Sequence, residues 1–332
     1  MNTPSRAVLP ALRFAKGHGT ENDFVLVPDA GGDLDLGPAQ VAALCDRRAG
    51  IGADGLIRAV RADALDAGRA LLAAEAAAAA ARPPVAGAST GAVEWFMDYR
   101  NGDGSMAEMC GNGLRVFALY LEHLGWLRLA DGDEVAIGTR AGVKRVRRVG
   151  SQWSADLGPW RVIGGAAAAA AGSDATVTVR GEPPALPGLS IDVGNPHVVL
   201  ALPDLARLAA ADLSVPPSVD PVPPNGANIE LVVPMHDATA TTGHLTMRVH
   251  ERGVGETRSC GTAAVAAVLA ARVWAGPGAP DDWIVDVPGG RLRVTAPPGD
   301  PLAGSGVELA GPAVIIAEGV TEGLIERAAV RN

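Results

Sequence analysis

The chain has 332 residues, 48% of them hydrophobic, and a formal net charge of -9. That length supports one large core or two ordinary domains, and an acidic chain with no Lys/Arg-rich run has no footprint for a nucleic-acid backbone. No 18 consecutive strongly apolar residues occur, and Met1 to Lys16 carries no apolar targeting core, so neither a membrane span nor export is expected and a cytoplasmic protein is.

The cysteines, Cys45, Cys110 and Cys260, are odd in number and form no CxxC pair, which argues against a disulfide framework and a four-cysteine zinc site. Lysine occurs only at Lys16, in a turn-like context, and at Lys144, in the basic strand-like run VKRVRRV. A Schiff-base lysine therefore has no obvious seat, and the P-loop, HExxH and GxSxG motifs are absent. No cofactor and no metal are expected.

In chain order, Phe24 to Val27 reads as a strand. Cys45, in VAALCDRR, reads as a small buried apolar residue. Ala70 to Ala81 reads as a low-complexity helix or disordered insert ending at Pro83 and Pro84. Leu114 to Leu124 has the apolar pattern of a buried helix. The alanines after Gly164 and the prolines from Pro216 to Pro224 read as loop excursions. Thr176 to Val179, Val198 to Leu200 and Leu245 to Val249 read as strands, and Ala263 to Trp274 as a second buried helix. The class is α+β.

Both helices are opened by the same pair: Cys110-Gly111 before the first and Cys260-Gly261 before the second. A repeated unit predicts two similar domains, each presenting a cysteine at a helix N-terminus. There, unpaired N–H groups and the positive end of the helix dipole favour thiolate over thiol. A packing explanation is weak, because a core position asks for volume and not for a thiol at a helix start. If the two helix ends meet, their amides can hold a carboxylate while the thiols flank its α-carbon. One thiolate takes the α-proton and the other thiol returns one from the opposite face, which is stereoinversion by two bases.

Six segments then carry a resemblance: GHGTENDF at Gly17 to Phe24, GIGADG at Gly50 to Gly55, YRNGDGSMAEMCGNGLR at Tyr99 to Arg115, GNPH at Gly194 to His197, GANIELV at Gly226 to Val232, and VHERGVGETRSCGTAA at Val249 to Ala264. In that order they resemble the diaminopimelate epimerases over most of the chain. The resemblance implies two pseudo-symmetric lobes, each a mixed β barrel-like sheet around a central helix. One lobe would span residues 1–155 plus 313–332 and carry Cys110, the other residues 156–312 and carry Cys260, with the site in the cleft between them. It implies a homodimer that converts LL- to meso-diaminopimelate, on the route to lysine and peptidoglycan precursors.

Residue by residue, the resemblance makes Cys110 and Cys260 the catalytic pair and Gly111, Asn112, Gly261 and Thr262 the amide cradle for the reacting carboxylate. Asn22, Asn101, Asn195, Asn228, Glu251 and Arg252 become the remaining substrate contacts. Glu251 suits the distal ammonium and Arg252, with its planar fork, the distal carboxylate. Arg48 and Gly55 depart from the family pattern.

Blander readings stand beside these. Asn101, in RNGDG, also fits a type I′ turn, and both roles can hold together. Asn195 before Pro196 marks a turn, and His197 fits a structural hydrogen bond or a wall of the site. Glu251-Arg252 also reads as a surface ion pair. The rival functions are a proline racemase-like two-cysteine isomerase, a dithiol redox protein, and a carboxylate-binding module without turnover. A distal set of charges and amides has no use in a proline-sized pocket, no CxxC supports redox chemistry, and binding alone needs no thiols.

Overall fold

A computed structural model describes residues 11–81, 92–235, 241–297 and 306–322. Pro83, Pro84, residues 1–10 and 323–332, all named in the sequence expectations, lie outside that set. The fold is α+β, and its contacts divide the chain into two compact units, one of residues 1–19, 23–153 and 313–332, the other of residues 20–22 and 154–312.

In the first unit, β1 (Arg13–Gly19) precedes β2 (Asn22–Pro28), and α1 (Pro38–Cys45) leads to β3 (Gly55–Arg61), which pairs parallel with β2. After α2 (Asp66–Ala80) comes β4 (Trp95–Asn101), antiparallel to β3. The buried helix α3 (Gly111–His123) crosses from β4 to β5 (Glu134–Thr139), its parallel partner, and β6 (Gly142–Val149) returns antiparallel. A parallel pair needs such a crossover, and the apolar circumference of α3 suits one that runs through the core. The helix packs against β1, β3, β4 and β6.

In β7 (Gln152–Asp156) the chain passes into the second unit. There follow β8 (Arg161–Val162), α4 (Gly165–Ala171), β9 (Ala175–Val179), β10 (Glu182–Asp192) and β11 (Pro196–Ala201). Then come α5 (Leu205–Ala210), β12 (Ser218–Asp220), β13 (Asn228–Met235) and β14 (Thr242–Glu251). After β15 (Gly255–Thr257), helix α6 (Gly261–Ala275) crosses to β16 (Asp282–Val287), which pairs parallel with β14. The unit ends with β17 (Gly290–Thr295) and β18 (Glu308–Gly311), and β19 (Val314–Val320) pairs with β1 in the first unit.

The two units share one order of pairing. Parallel β2–β3, antiparallel β3–β4, parallel β4–β5 and antiparallel β5–β6 in the first are matched by β11–β13, β13–β14, β14–β16 and β16–β17 in the second. In each, the cysteine-led helix is the crossover of the second parallel pair. Valine, leucine and isoleucine from β9, β11 and β13 fill part of the second core, and β2, α1 and β3 fill part of the first.

Several expectations need correction. The alanines after Gly164 form α4 rather than a loop, ended by Gly172 in the left-handed region. The proline-rich stretch contains β12, which pairs with β9. Lys16 is not in a turn: it lies buried in β1, with its ammonium 2.6 Å from Asp23 and bonded to the Gly52 carbonyl. The alanine-rich segment is the exposed end of α2, which begins at Asp66. Gly55 has a steric reason: a Cβ there would sit 2.6 Å from the Arg100 carbonyl and 2.6 Å from the Tyr99 ring. Among the described residues no helix is long and apolar enough to cross a membrane.

Candidate active site

Cys110 and Cys260 occupy the same local position. Each is the N-cap of its crossover helix with extended backbone, φ -141 and ψ 121 for Cys110, φ -129 and ψ 122 for Cys260. Each carbonyl accepts the first helical bond, from Leu114 at 2.9 Å and from Ala264 at 3.0 Å. Cysteine replaces the Ser, Thr, Asp or Asn usual at that position, so a sulfur stands where an oxygen would meet the first amides. Cys110 Sγ accepts from the Gly113 N–H at 3.4 Å, and Cys260 Sγ lies 3.4 Å from Thr262 Oγ1.

Around Cys110, Gly111 and Asn112 are buried in the first turn of α3, and Asn112 Oδ1 accepts from Arg115 Nη2 at 2.9 Å. Arg140 ties the loop leading to Cys110 to β4: it bonds the Ala107 carbonyl of the loop at 3.5 Å and the Tyr99 carbonyl of β4 at 3.1 Å, and pairs with buried Asp98. Asp98 also meets Arg58, and Arg58 meets Asp29, so the loop hangs from a buried charge network. Asn101 belongs to the turn at the start of that loop. Its backbone N–H bonds the Ser105 carbonyl at 3.0 Å, and its Nδ2 donates to Ser105 Oγ at 3.0 Å. Only Gly104 of the turn is left-handed, at φ 86, so the geometry is a type I turn with a glycine bulge and not type I′.

The second unit gathers most of the expected residues. Register places His197 beside Asn228 and Val199 beside Glu230 on the parallel pair β11–β13. His197 Nδ1 lies 2.6 Å from Glu230 Oε1, His197 Nε2 lies 3.0 Å from Asn195 Oδ1, and Asn195 Nδ2 reaches Thr262 Oγ1 at 3.5 Å. A polar chain thus runs from Glu230 to Cys260. His197 makes the buried hydrogen bonds of its structural reading.

Asn228 Oδ1 accepts the Arg252 backbone N–H at 2.9 Å, which fixes the bend after β14. Glu251 accepts from the Thr257 hydroxyl, and the exposed Arg252 donates through Nη1 to the Asn225 carbonyl at 2.7 Å. Their partners differ, so the simple surface pair does not describe them. Burial pushes the Cys260 thiol well above its ordinary range, and Glu251 adds to it; the Thr262 hydroxyl and Ala263 amide oppose, and Glu230 raises it further. At Cys260, burial and neighbouring acidic groups thus work against the thiolate that a helix start favours. Cys45 is buried in the first core and its thiol is pushed up to about 12, as an inert apolar residue would be.

Asn22 opens β2, half-buried, directly after two non-glycine residues in the left-handed region, Thr20 at φ 52 and Glu21 at φ 64. A β-branched residue there is strained. Thr20 Oγ1 is 2.6 Å from Ser259 Oγ, and Glu21 pairs with Arg258, so the strained turn buttresses the residue before Cys260. Sequence reasoning missed Thr20, Ser259, Glu230 and Arg115. The signals existed for the last two: a lone glutamate in the apolar strand NIELVV and a lone arginine in an apolar helix.

Comparison with known proteins adds an independent finding. The family model for diaminopimelate epimerase matches residues 14–162 and 189–313. A diaminopimelate epimerase of Streptomyces coelicolor is 48% identical over 315 residues, covering 93% of this chain and 94% of that protein. One of Thermobifida fusca is 46% identical, covering 93% and 97%. Among solved structures, a Bacillus anthracis phenazine biosynthesis protein of the PhzF family superposes with a TM-score of 0.60 at 15% identity, covering 94% of this chain and 99% of that one. A hydroxyproline epimerase from Agrobacterium vitis superposes with a TM-score of 0.57 at 12% identity, covering 98% and 95%. At those identities the two structures report shared fold alone.

Proposed function

The chain belongs to the diaminopimelate epimerase family, and from that premise we propose that it is an isomerase inverting one α-carbon of diaminopimelate, LL to meso, with its own thiols as acid and base. The observation that carries the reading is the matched N-cap geometry of Cys110 and Cys260, each followed by amides that open a buried helix.

The reaction requires one sulfur on each face of the α-carbon. In one direction a thiolate takes the α-proton, forming an S–H bond as the C–H bond breaks, and the electron pair spreads into the carboxylate. The opposite thiol then breaks its S–H bond and delivers a proton to the other face. One thiol and one thiolate remain with their roles exchanged, so atoms and charge balance without an external cofactor. The half-buried Cys260, beside Glu251, suits the thiol that enters protonated. The amides of Gly111, Asn112, Gly261 and Thr262 are the donors proposed for the charge that builds on the carboxylate, and such donors count most when preorganised. Asn22, Asn101, Asn195 and Asn228 would orient the rest of the substrate, Glu251 would meet the distal ammonium and Arg252 the distal carboxylate. The setting we propose is the cytoplasm, the working form a homodimer, and the metabolic place the supply of lysine and peptidoglycan precursors.

The test is incubation of reduced, purified protein with LL-diaminopimelate and no added cofactor, followed by chiral separation. The meso isomer should appear until the two isomers equilibrate. Its absence from folded, reduced protein would remove the proposal.

A further inference from the structure

Glu230 is an acid inside an apolar strand, and neither it nor His197 has any solvent exposure. Glu230 Oε1 lies 2.6 Å from His197 Nδ1, while Oε2 has no hydrogen-bond partner among the described residues. The second ring nitrogen, Nε2, lies 3.0 Å from Asn195 Oδ1. A neutral imidazole has one donor and one acceptor nitrogen, and an amide oxygen only accepts. An ionised Glu230 facing a neutral ring that donates from Nδ1 would therefore turn the Nε2 lone pair against Asn195 Oδ1.

With Asn195 in this orientation, two arrangements remove that clash. Either Glu230 is ionised and the ring carries both protons, or Glu230 carries a proton to Nδ1 and the ring keeps its proton on Nε2. Both place two protons on the pair and make its net charge zero, which complete burial favours over an uncompensated anion. Burial holds the Glu230 carboxyl above its ordinary range, with His197 opposing. In either arrangement Nε2 is a donor.

We propose that Glu230 is a positioning residue: sharing two protons with His197, it keeps Nε2 donating to Asn195 Oδ1 and so turns the Asn195 NH2 group toward Thr262 and the helix start. Asn195 Nδ2 points to Thr262 Oγ1 at 3.5 Å, and that oxygen lies 3.4 Å from Cys260 Sγ. Were the pair to hold one proton, with a lone pair on Nε2, Asn195 would flip, presenting its oxygen where the substrate carboxylate is to bind. The consequence for turnover rests on the carboxylate-cradle role assigned above to Gly261 and Thr262; the proton arrangement does not.

The test has two arms. Long-range proton–nitrogen correlation on histidine-labelled wild-type protein should show His197 Nε2 protonated; an unprotonated Nε2 overturns the proposal whatever the activity. In the second arm, Glu230→Gln should stay within about threefold of wild-type kcat/KM, since an amide N–H replaces the carboxyl proton toward Nδ1, while Glu230→Leu should fall at least tenfold. Asn195→Ala combined with Glu230→Leu should be no worse than Asn195→Ala alone, because the charge-neutral Glu230–His197 pair reaches the helix start through Asn195. Additive losses would assign Glu230 a general structural role and overturn the proposal, as would unchanged kcat/KM in a folded Glu230→Leu protein. A Glu230→Leu chain that does not fold leaves the nitrogen spectrum and the Gln variant as the deciding readouts.

Discussion

Arg115 Nη2 donates to Asn112 Oδ1 at 2.9 Å from a guanidinium that has no solvent exposure. Among the described residues no carboxylate acts on this cation, and its Nε has no hydrogen-bond partner. Burial brings its pKa down to about 10, and the group that opposes this is Cys110. Coupling is mutual, so the cation that gains from a Cys110 thiolate also stabilises that thiolate. The two sulfurs proposed as acid and base thus sit in opposite fields, one beside a buried cation and the other beside Glu251.

Replacing Arg115 by Met should therefore slow alkylation of Cys110 by iodoacetamide near neutral pH roughly tenfold, the scale of one close opposite charge. Arg115→Lys should recover part of the rate, though not the Asn112 bond in its present form. Peptide mass spectrometry reads Cys110 separately from Cys260. Equal Cys110 rates in wild type and a folded Met variant would show that the guanidinium only orients Asn112.

A second prediction concerns pH and Cys45. Its thiol is raised from 9.0 to about 12 by burial, so the folded chain holds this proton after the unfolded chain has released its own. The contribution is fully present below pH 9 and is lost as pH rises from 9 toward 12, at up to about 1.4 kcal/mol per unit. Urea unfolding across that window should show wild type losing stability faster than Cys45→Ala. Parallel curves would mean that Cys45 does not titrate in the unfolded chain as an ordinary thiol.

How much of this was legible follows from what local sequence encodes. The two crossover helices were readable because a Cys-Gly start and a mostly apolar circumference are local signals, and the strands over Val198 to Leu200 and Leu245 to Val249 followed from β-branched runs. The α4 alanines were misread because alanine without charged or apolar punctuation has no periodicity to score, although its helix propensity is the highest. The left-handed Thr20 and Glu21 were invisible because neither type favours that conformation; Ser259, far away in sequence, supplies part of what holds them there. The upward push on the Cys260 thiol was hidden for a related reason. A helix start is local, whereas burial and the charge of Glu251 arise from the folded chain.

Arg252 tests distal recognition. Its guanidinium is exposed and bonded to the Asn225 carbonyl, so removing it should cost the fold little. Removing a charge-assisted partner of the distal carboxylate should cost turnover on the order of 2 kcal/mol, about thirtyfold in kcat/KM. Arg252→Ala with an unaltered melting temperature and such a loss would separate recognition from stability, and lysine should rescue poorly for want of the planar fork. Wild-type kinetics in the alanine variant would return Arg252 to an ordinary surface role.

The two-base chemistry is decided by isotopes. With LL-diaminopimelate in heavy water, the sulfur that takes the substrate proton is not the sulfur that returns one, so early meso product should carry solvent deuterium at the inverted carbon. Early unreacted substrate should keep its protium, because a thiol shielded from solvent returns the same proton when the step reverses. A single base serving both faces would instead carry protium into the product. Cys110→Ala and Cys260→Ala should each abolish net inversion, and the Ser variants should lose on the order of 10² to 10⁴ in rate, since a hydroxyl is a far poorer base near neutral pH. The informative case is a variant that exchanges the α-proton of one isomer and inverts neither, because it assigns that isomer's reacting face to the surviving sulfur. If Cys110 is the resting thiolate that Arg115 supports and Cys260 the resting acid, loss of Cys260 should leave exchange from LL-substrate, and loss of Cys110 should not. The reverse pattern would invert the assignment of acid and base while leaving the two-sulfur mechanism in place; protium in the early product would remove the mechanism itself.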